Sequence, residues 1–311
     1  MNPPDSVFYI FIDGIGFGSS NQEVNPFSRF AKSLFLPLAG KEFKGPGILT
    51  EADAKMGVEG KPQSATGQTA LFTGINGAAM MGRHINGFPT YSLRPVLLEH
   101  SITKVFQDHG YSATLLNSYS DWYIRRISKP RSERLLSASS YLQKATGLPF
   151  FRIEDYLEGR SLYMDITNWF LRRKFHLPIP MANPKEVGRK AVRIASKYNL
   201  AIFEYFFTDK AGHAMSFAAA RRIIPHIEGF LEGVYEELDP EKMLLVVSSD
   251  HGNLEDLSDK THTENKVPVY LYGKGADLVS RKIQYLYDIP RALYDLFNIS
   301  KDFTSLSIKK A

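Results

Sequence analysis

Seven side chains able to bind a cation or act as a nucleophile stand in five short patches of this chain. Asp13 closes the run Phe11-Ile12-Asp13-Gly14-Ile15-Gly16, where Asp-Gly is equally a turn signal. Asp209 and His213 are four residues apart in Phe207-Thr208-Asp209-Lys210-Ala211-Gly212-His213. If a helical turn begins there they share a face and can hold one ion, although an N-cap aspartate beside an unrelated histidine gives the same pattern. Asp250 and His251 leave the apolar run Leu244–Val247, and Gly252 lets the chain turn so that both converge. A carboxylate–imidazole pair at such an exit is rarely a packing feature. His262 lies in a polar loop, Thr261-His262-Thr263-Glu264-Asn265-Lys266-Val267-Pro268, and gains meaning only as part of the set. Ser64, ahead of the stretch Ala65–Gly74, reads as a helix N-cap. The same position places a hydroxyl among free N–H groups in a positive field, which suits a phosphate or an alkoxide.

Three aspartates, three histidines and a hydroxyl form a set of oxygen and nitrogen donors, and the chain has no Cys. Such donors suit Zn²⁺ or Mn²⁺. Seven are too many for one tetrahedral ion and about right for two; a pair ~3.5–4 Å apart recurs in in-line displacement at phosphorus. The lack of Cys excludes a disulfide framework, a cysteine nucleophile and thiolate metal sites. Gly14-Ile15-Gly16-Phe17-Gly18 does not complete a dinucleotide fingerprint, which argues against NAD.

The elements that must position these groups are strands whose exits converge. Val7–Ile12, Ala113–Leu116, Ala201–Phe206, Leu244–Val247 and Val267–Tyr272 are short apolar runs and read as buried strands. Helical stretches lie between them: Ser101–His109, Lys185–Tyr198, Phe217–Leu238 with a bend expected at Pro225, and Arg291–Phe297. Thr304–Ala311 reads as a frayed end. Strands alternating with helices predict an α/β fold, a mostly parallel central sheet with helices on both faces. In such sheets ligands bind beyond the carboxyl ends of the strands, where the candidate groups fall.

The chain of 311 residues is 43% hydrophobic with a formal charge of +5, values that exclude wholesale disorder and fibrous architecture. No segment approaches the ~18 apolar residues of a membrane helix, and Val7–Ile12 is too short for a signal-peptide core. A soluble, cytoplasmic protein is expected. The positive charge is concentrated: residues 119–181 hold eleven basic and six acidic side chains and both tryptophans, Trp122 and Trp169. That shift predicts an insertion, a basic, aromatic-rich lid over a core formed by residues 1–118 and 182–311. No nucleic-acid-binding motif accompanies the charge, so nucleic acid is not an expected partner.

The ordered set Asp13, Ser64, Asp209-x-x-x-His213, Asp250-His251-Gly252, His262-Thr263 resembles the alkaline phosphatase superfamily. It is most similar to the branch with cofactor-independent phosphoglycerate mutase, phosphopentomutase and the nucleotide pyrophosphatase/phosphodiesterases. Ser64-x-x-Gly67, Asp250-His251-Gly252-Asn253 and His262-Thr263-x-Asn265-x-Val267-Pro268 carry the likeness. The resemblance implies an alkaline phosphatase-like core and two divalent ions. Asp13, Ser64, Asp250 and His251 would bind one, and Asp209, His213 and His262 the other. It makes Ser64 the nucleophile, attacking phosphorus as a metal-held alkoxide to give a phosphoserine.

Departures from the family pattern narrow the expectation. The mutases carry His four residues after the nucleophile, where this chain has Gln68. Leu71-Phe72-Thr73-Gly74 matches a sulfatase phrase, but Thr66 and Gln68 do not fit a sulfatase site. Superfamily diesterases hold a phosphate oxygen with an Asn downstream of the nucleophile; Asn86 falls near that place, Arg83 is an alternative contact, and either is equally a loop residue. Arg125, Arg126, Arg131 and Arg134 of the lid are candidate contacts for a second anionic group, or part of a solvated face. The expected function is a metal-dependent phosphoester hydrolase, a phosphatase or phosphodiesterase, acting on a small anionic substrate. A phosphomutase and a non-catalytic metal-bound binding module are the alternatives.

Overall fold

A computed structural model describes residues 2–129 and 132–303. Six strands form one sheet in the order β2-β6-β5-β1-β4-β3. They are β1 (Ser6–Ile12), β2 (Ile48–Ala52), β3 (Ala113–Leu115), β4 (Leu200–Tyr205), β5 (Met243–Ser248) and β6 (Val267–Gly273). β5, β1, β4 and β3 run parallel, while β6 is antiparallel to both β5 and β2. The sheet is mostly parallel, and helices cover both of its faces.

Period-two alternation sorts the central strands onto two cores. Val7, Tyr9 and Phe11 of β1 join Leu200 and Ile202 of β4 and Leu244 and Val246 of β5 on one face. Phe8, Ile10 and Ile12 join Ala201, Phe203, Leu245 and Val247 on the other. With both faces buried, these strands carry no polar alternation, which is why they read as continuous apolar runs. β2 is the strand without such a signal: it is an edge, only Ala52 is buried, and Glu51 interrupts it.

The first core packs under the Ser64–Thr73 helix, where Phe72 meets Phe11 edge-on at 5.3 Å between ring centroids. Burying such a ring contributes roughly 2–3 kcal/mol and fixes the helix over the sheet. The second core lies under the helices Pro184–Ala195 and Phe217–Glu237. The latter runs unbroken through Pro225. Gly188 and Gly233 let this pair approach closely, since a Cβ at either would fall 2.0 Å from Phe230 O or 1.9 Å from Lys185 O. No helix among the described residues is long and apolar enough to cross a membrane.

Within residues 119–181 the packing is divided. The Ala138–Thr146 helix contributes Tyr141 and Leu142 to the first core. Tyr156, Tyr163 and Leu171 form a small cluster of their own. Bridges Asn117–Leu162 and Tyr119–Arg152 tie the segment to the end of β3. The expected fraying of Thr304–Ala311 lies outside the described residues.

Candidate metal centre

Parallel pairing brings the strand exits together. Ile12 is level with Tyr205, and Phe11 with Ser248, so the residues just beyond β1, β4 and β5 meet at one end of the sheet. Asp13 leaves β1 with its N–H donated to Tyr205 O at 2.9 Å. The Phe207–His213 helix follows β4 and presents Asp209 and His213 one turn apart. Asp250 and His251 leave β5 fully buried.

Two adjoining groups result. In the first, His251 Nε2 lies 3.5 Å from Asp13 Oδ1, 3.3 Å from Asp250 Oδ2 and 3.0 Å from Ser64 Oγ. Gln68 donates to Asp250 Oδ2 at 2.9 Å. In the second, Asp209 Oδ2 is 3.3 Å from His213 Nε2, and its Oδ1 is 3.6 Å from His262 Nε2. The His251 and His262 rings stack at 3.5 Å and so join the two groups. Asp13, Asp250 and His251 offer atoms close enough for one ion, as do Asp209, His251 and His262.

The donor set fits cations. His213 Nδ1 faces Lys260 O at 2.7 Å and His262 Nδ1 faces Pro62 O at 2.9 Å. A carbonyl only accepts, so both Nδ1 atoms carry hydrogen and the Nε2 atoms are left with lone pairs. Those two Nε2 atoms lie 3.1 Å apart. Burial holds His262 down to about 4, so no proton on His262 relieves that contact near neutrality. A cation bound by both nitrogens does. Asp13 Oδ1 is buried without a hydrogen-bond partner. Burial and the neighbouring Asp250 push the Asp13 carboxyl well above its usual range; burial takes Asp250 to about 7. Clustered buried carboxylates with only histidine as ion-pair partner among the described residues are an arrangement that a divalent ion stabilises.

Ser64 is the first helical residue rather than the cap, which is Gln63 in extended conformation. The hydroxyl therefore does not close the helix end and instead meets His251. Gly67 allows this approach, because a Cβ there would sit 2.8 Å from Asp250 O.

One organising residue has no motif of its own. Glu255 is 1% exposed, and its Oε2 accepts from Gly16 N at 2.9 Å and Asn253 N at 2.8 Å. Its Oε1 accepts from Thr263 Oγ1 and Asn265 Nδ2. It thus ties together the loops after β1 and β5 and the one before β6. A Cβ at Gly16 or Gly252 would lie 2.6 or 2.1 Å from Oε1, so those glycines are the sequence's only trace of it. Asn253 carries the tie onward by donating to Asp209 Oδ1 at 2.7 Å.

A cavity of about 640 Å³ opens from Asp13, Ser64 and Asp209 toward the 119–181 segment. Of the six candidate substrate contacts, five lie among the described residues and only Arg126 of these lines it, with its guanidinium 5.2 Å from the Trp122 ring centroid. Arg125 is exposed beside Asp121, and Asn86 and Arg83 are exposed on a loop that contributes Gly87 and Phe88 instead. Arg134 is exposed, and Arg131 lies outside the described residues. Sequence reasoning missed Glu204 and Lys210. Glu204 accepts from Ser139 Oγ at 2.6 Å, and burial lifts its carboxyl to about 7. Desolvation lowers Lys210, whose ammonium lies 4.4 Å from the Phe206 ring centroid.

Residues 179–301 match the family model described as the Metalloenzyme superfamily. A 2,3-bisphosphoglycerate-independent phosphoglycerate mutase of Desulforudis audaxviator is 27% identical over 128 residues, 39% of this chain and 25% of that protein. The chain thus spans about a quarter of the length of the curated relatives it matches. Alkaline phosphatase from the Antarctic bacterium TAB5 superposes with a TM-score of 0.52 at 16% identity, over 96% of this chain and 100% of that one. Thermus thermophilus alkaline phosphatase gives 0.56 at 10% identity, over 97% and 93%. The architecture is that of an alkaline phosphatase-like α/β protein. The family match lies within residues 179–301, the part of the chain that holds Asp209, His213, Asp250, His251 and His262.

Proposed function

We propose that this protein is a two-metal phosphoester hydrolase with Ser64 as nucleophile and a small anionic phosphoester as substrate. The observation that carries this reading is the Ser64 hydroxyl, 3.0 Å from His251 Nε2 on the first residue of a helix. Asp13, Ser64, Asp250 and His251 would hold one divalent cation and Asp209, His213 and His262 the other. Such a pair, as Zn²⁺ or Mn²⁺, supplies Lewis-acid stabilisation of charge on the phosphoryl and leaving oxygens. Ser64 sits where free helix N–H groups favour an oxyanion and a phosphoryl group. Its Oγ forms a bond to phosphorus as the ester O–P bond breaks, and the serine proton departs with the alcohol. Water then opens the phosphoserine, releasing phosphate and returning a proton to Ser64.

Gln68 supports hydrolysis over transfer back to the same molecule. It donates to Asp250, and a neutral amide is no proton carrier for such a return step. The mutase alternative draws on the named relatives, which are phosphoglycerate mutases over about a third of this chain. Product analysis separates the two: the hydrolase releases free phosphate, and a mutase gives an isomer without it. Ser64→Ala is expected to lower kcat by roughly 10⁴–10⁶ while metal analysis still finds bound ions. Unchanged turnover refutes the mechanism.

A further inference from the structure

The cavity that begins at Ser64 is unusual in what lines its far side. Aromatic residues make up 13% of the chain but eight of the 24 residues around the cavity, one third. Tyr119, Trp122, Tyr123 and Phe170 come from the 119–181 segment, and Phe88 and Phe206 from the core. Packing explains some of them: Tyr119 and Tyr123 stack on one another at 5.0 Å and 15°. It does not explain Trp122 and Phe88, which are 64% and 55% exposed while lining the cavity. Large rings left in solvent beside a candidate catalytic hydroxyl cost hydrophobic free energy that a ligand can recover.

Size points the same way. At ~30 Å³ per water in the liquid, a volume of about 640 Å³ has room for roughly twenty waters. A three-carbon monophosphate fills a minor part of that space, whereas an alcohol bearing a ring fills more of it and meets the aromatic lining. A polar group sits where such a ligand needs it. Arg126 over Trp122 offers a guanidinium plane beside the rings.

We infer that the substrate is a phosphoester whose alcohol carries a planar aromatic ring, held by the cavity wall around Trp122 and Phe88. The inference rests on the phosphoester reading of Ser64. Ring stacking of this kind changes affinity by about ten- to a hundredfold. The wall therefore selects among leaving groups, and Ser64 with the candidate metal ligands treats them alike.

Two measurements on the full chain supplied with Zn²⁺ or Mn²⁺ test this. The first compares kcat/KM for benzyl phosphate and adenosine monophosphate with that for glycerol phosphate, all three being esters of alkyl alcohols. The aromatic esters are expected to be preferred at least tenfold, and Trp122→Ala and Phe88→Ala are each expected to lower that ratio about tenfold. Trp122→Phe keeps a ring and is expected to retain most of the ratio. Equal use of all three esters, or a ratio unmoved by Trp122→Ala, overturns the inference. The second uses Trp169→Phe combined with Ser64→Ala, leaving Trp122 as the sole indole in a chain without its nucleophile. Adenosine monophosphate is expected to quench its fluorescence at concentrations at which glycerol phosphate does not; identical responses overturn the inference. If Ser64→Ala keeps full turnover, the hydrolase reading falls, and the fluorescence measurement still decides whether the wall binds rings.

Discussion

At the strand exits, four of the seven candidate ligands are held by another fixed group: His213 by Lys260 O, His262 by Pro62 O, Asp209 by Asn253, Asp250 by Gln68. Across the cavity, Trp122 and Phe88 stand largely in solvent, and the segment behind them has only a small cluster of its own around Tyr156, Tyr163 and Leu171. On the proposed reading, the contrast follows from what each region has to do. Reacting groups lose effect when displaced by an ångström, so their orientation is fixed by hydrogen bonds from a second set of residues. A wall that receives a leaving group needs contact area, which survives small shifts. Substitutions in the first region should therefore act on the chemical step and on stability together, and those in the second on selectivity with little change in fold.

The largest expected effect comes from breaking the ligand set itself. Asp250→Asn removes a buried charge and is predicted to lower turnover by roughly 10³. In metal-free protein the same change removes a carboxyl that burial and Asp209 make costly to ionise. The melting temperature without metal is then expected to rise by a few degrees, ~2–4 °C per kcal/mol for a chain of this order. Activity and apo-stability moving in opposite directions, read by steady-state assay and thermal melts in chelator, would mark a site built for cations. Parallel loss of both would mark Asp250 as a packing residue.

Next in size is Glu255, which sharpens the comparison because it touches no candidate ligand directly. Glu255→Ala leaves the N–H groups of Gly16 and Asn253 without their carboxylate acceptor, inside the protein. An expected loss of about 3 kcal/mol follows from stranding buried donors, with metal affinity falling about 10–100-fold as Asn253 releases Asp209. Chemical denaturation and metal titration check the two effects separately.

This residue also shows where the sequence was opaque. The five buried strands were legible because both faces of each are covered, so that Val7–Ile12 or Leu244–Val247 is apolar without interruption. β2 was not, because an edge strand with Glu51 and one buried residue has the composition of a loop. The candidate ligands stood out because Asp and His beyond apolar runs have few structural uses. Glu255, in Asn253-Leu254-Glu255-Asp256, has the appearance of any solvated acid, and only the glycines packed on it record its burial. Asn86 and Arg83 were chosen by sequence neighbourhood, yet a loop does not encode which of its residues faces a cavity formed by distant segments. The aromatic wall comes from at least three such segments and has no period to find.

Glu204, between the two regions, gives a pH-dependent prediction. Its folded-state value of about 7 lies above the usual 4.5 because burial disfavours the charged form. Below pH ~4 both folded and unfolded chains are protonated and no effect is expected. As pH rises from there to about 7, the unfolded chain gives up its proton first, so stability falls by about 3 kcal/mol in total and stays lower above that range. Glu204→Gln keeps a neutral side chain at every pH. In metal-free protein it is expected to unfold like the parent at pH 4 and to be more stable at pH 8, a difference visible in denaturation midpoints.

The smallest effect discriminates between neighbours on one short helix. Arg125 and Arg126 share the last turn of Asp121–Ile127, carry the same charge and differ only in direction. Arg126 lines the cavity against Trp122, whereas Arg125 is largely exposed beside Asp121. If general positive potential is what the segment contributes, Arg125→Ala and Arg126→Ala should weaken KM for a phosphoester equally, and both effects should fade with salt. If the wall acts through contact, Arg126→Ala should raise KM several-fold, up to about tenfold, through the lost guanidinium–ring face, and Arg125→Ala should stay close to the parent. The salt dependence of the two KM values decides between a charged surface and a shaped one.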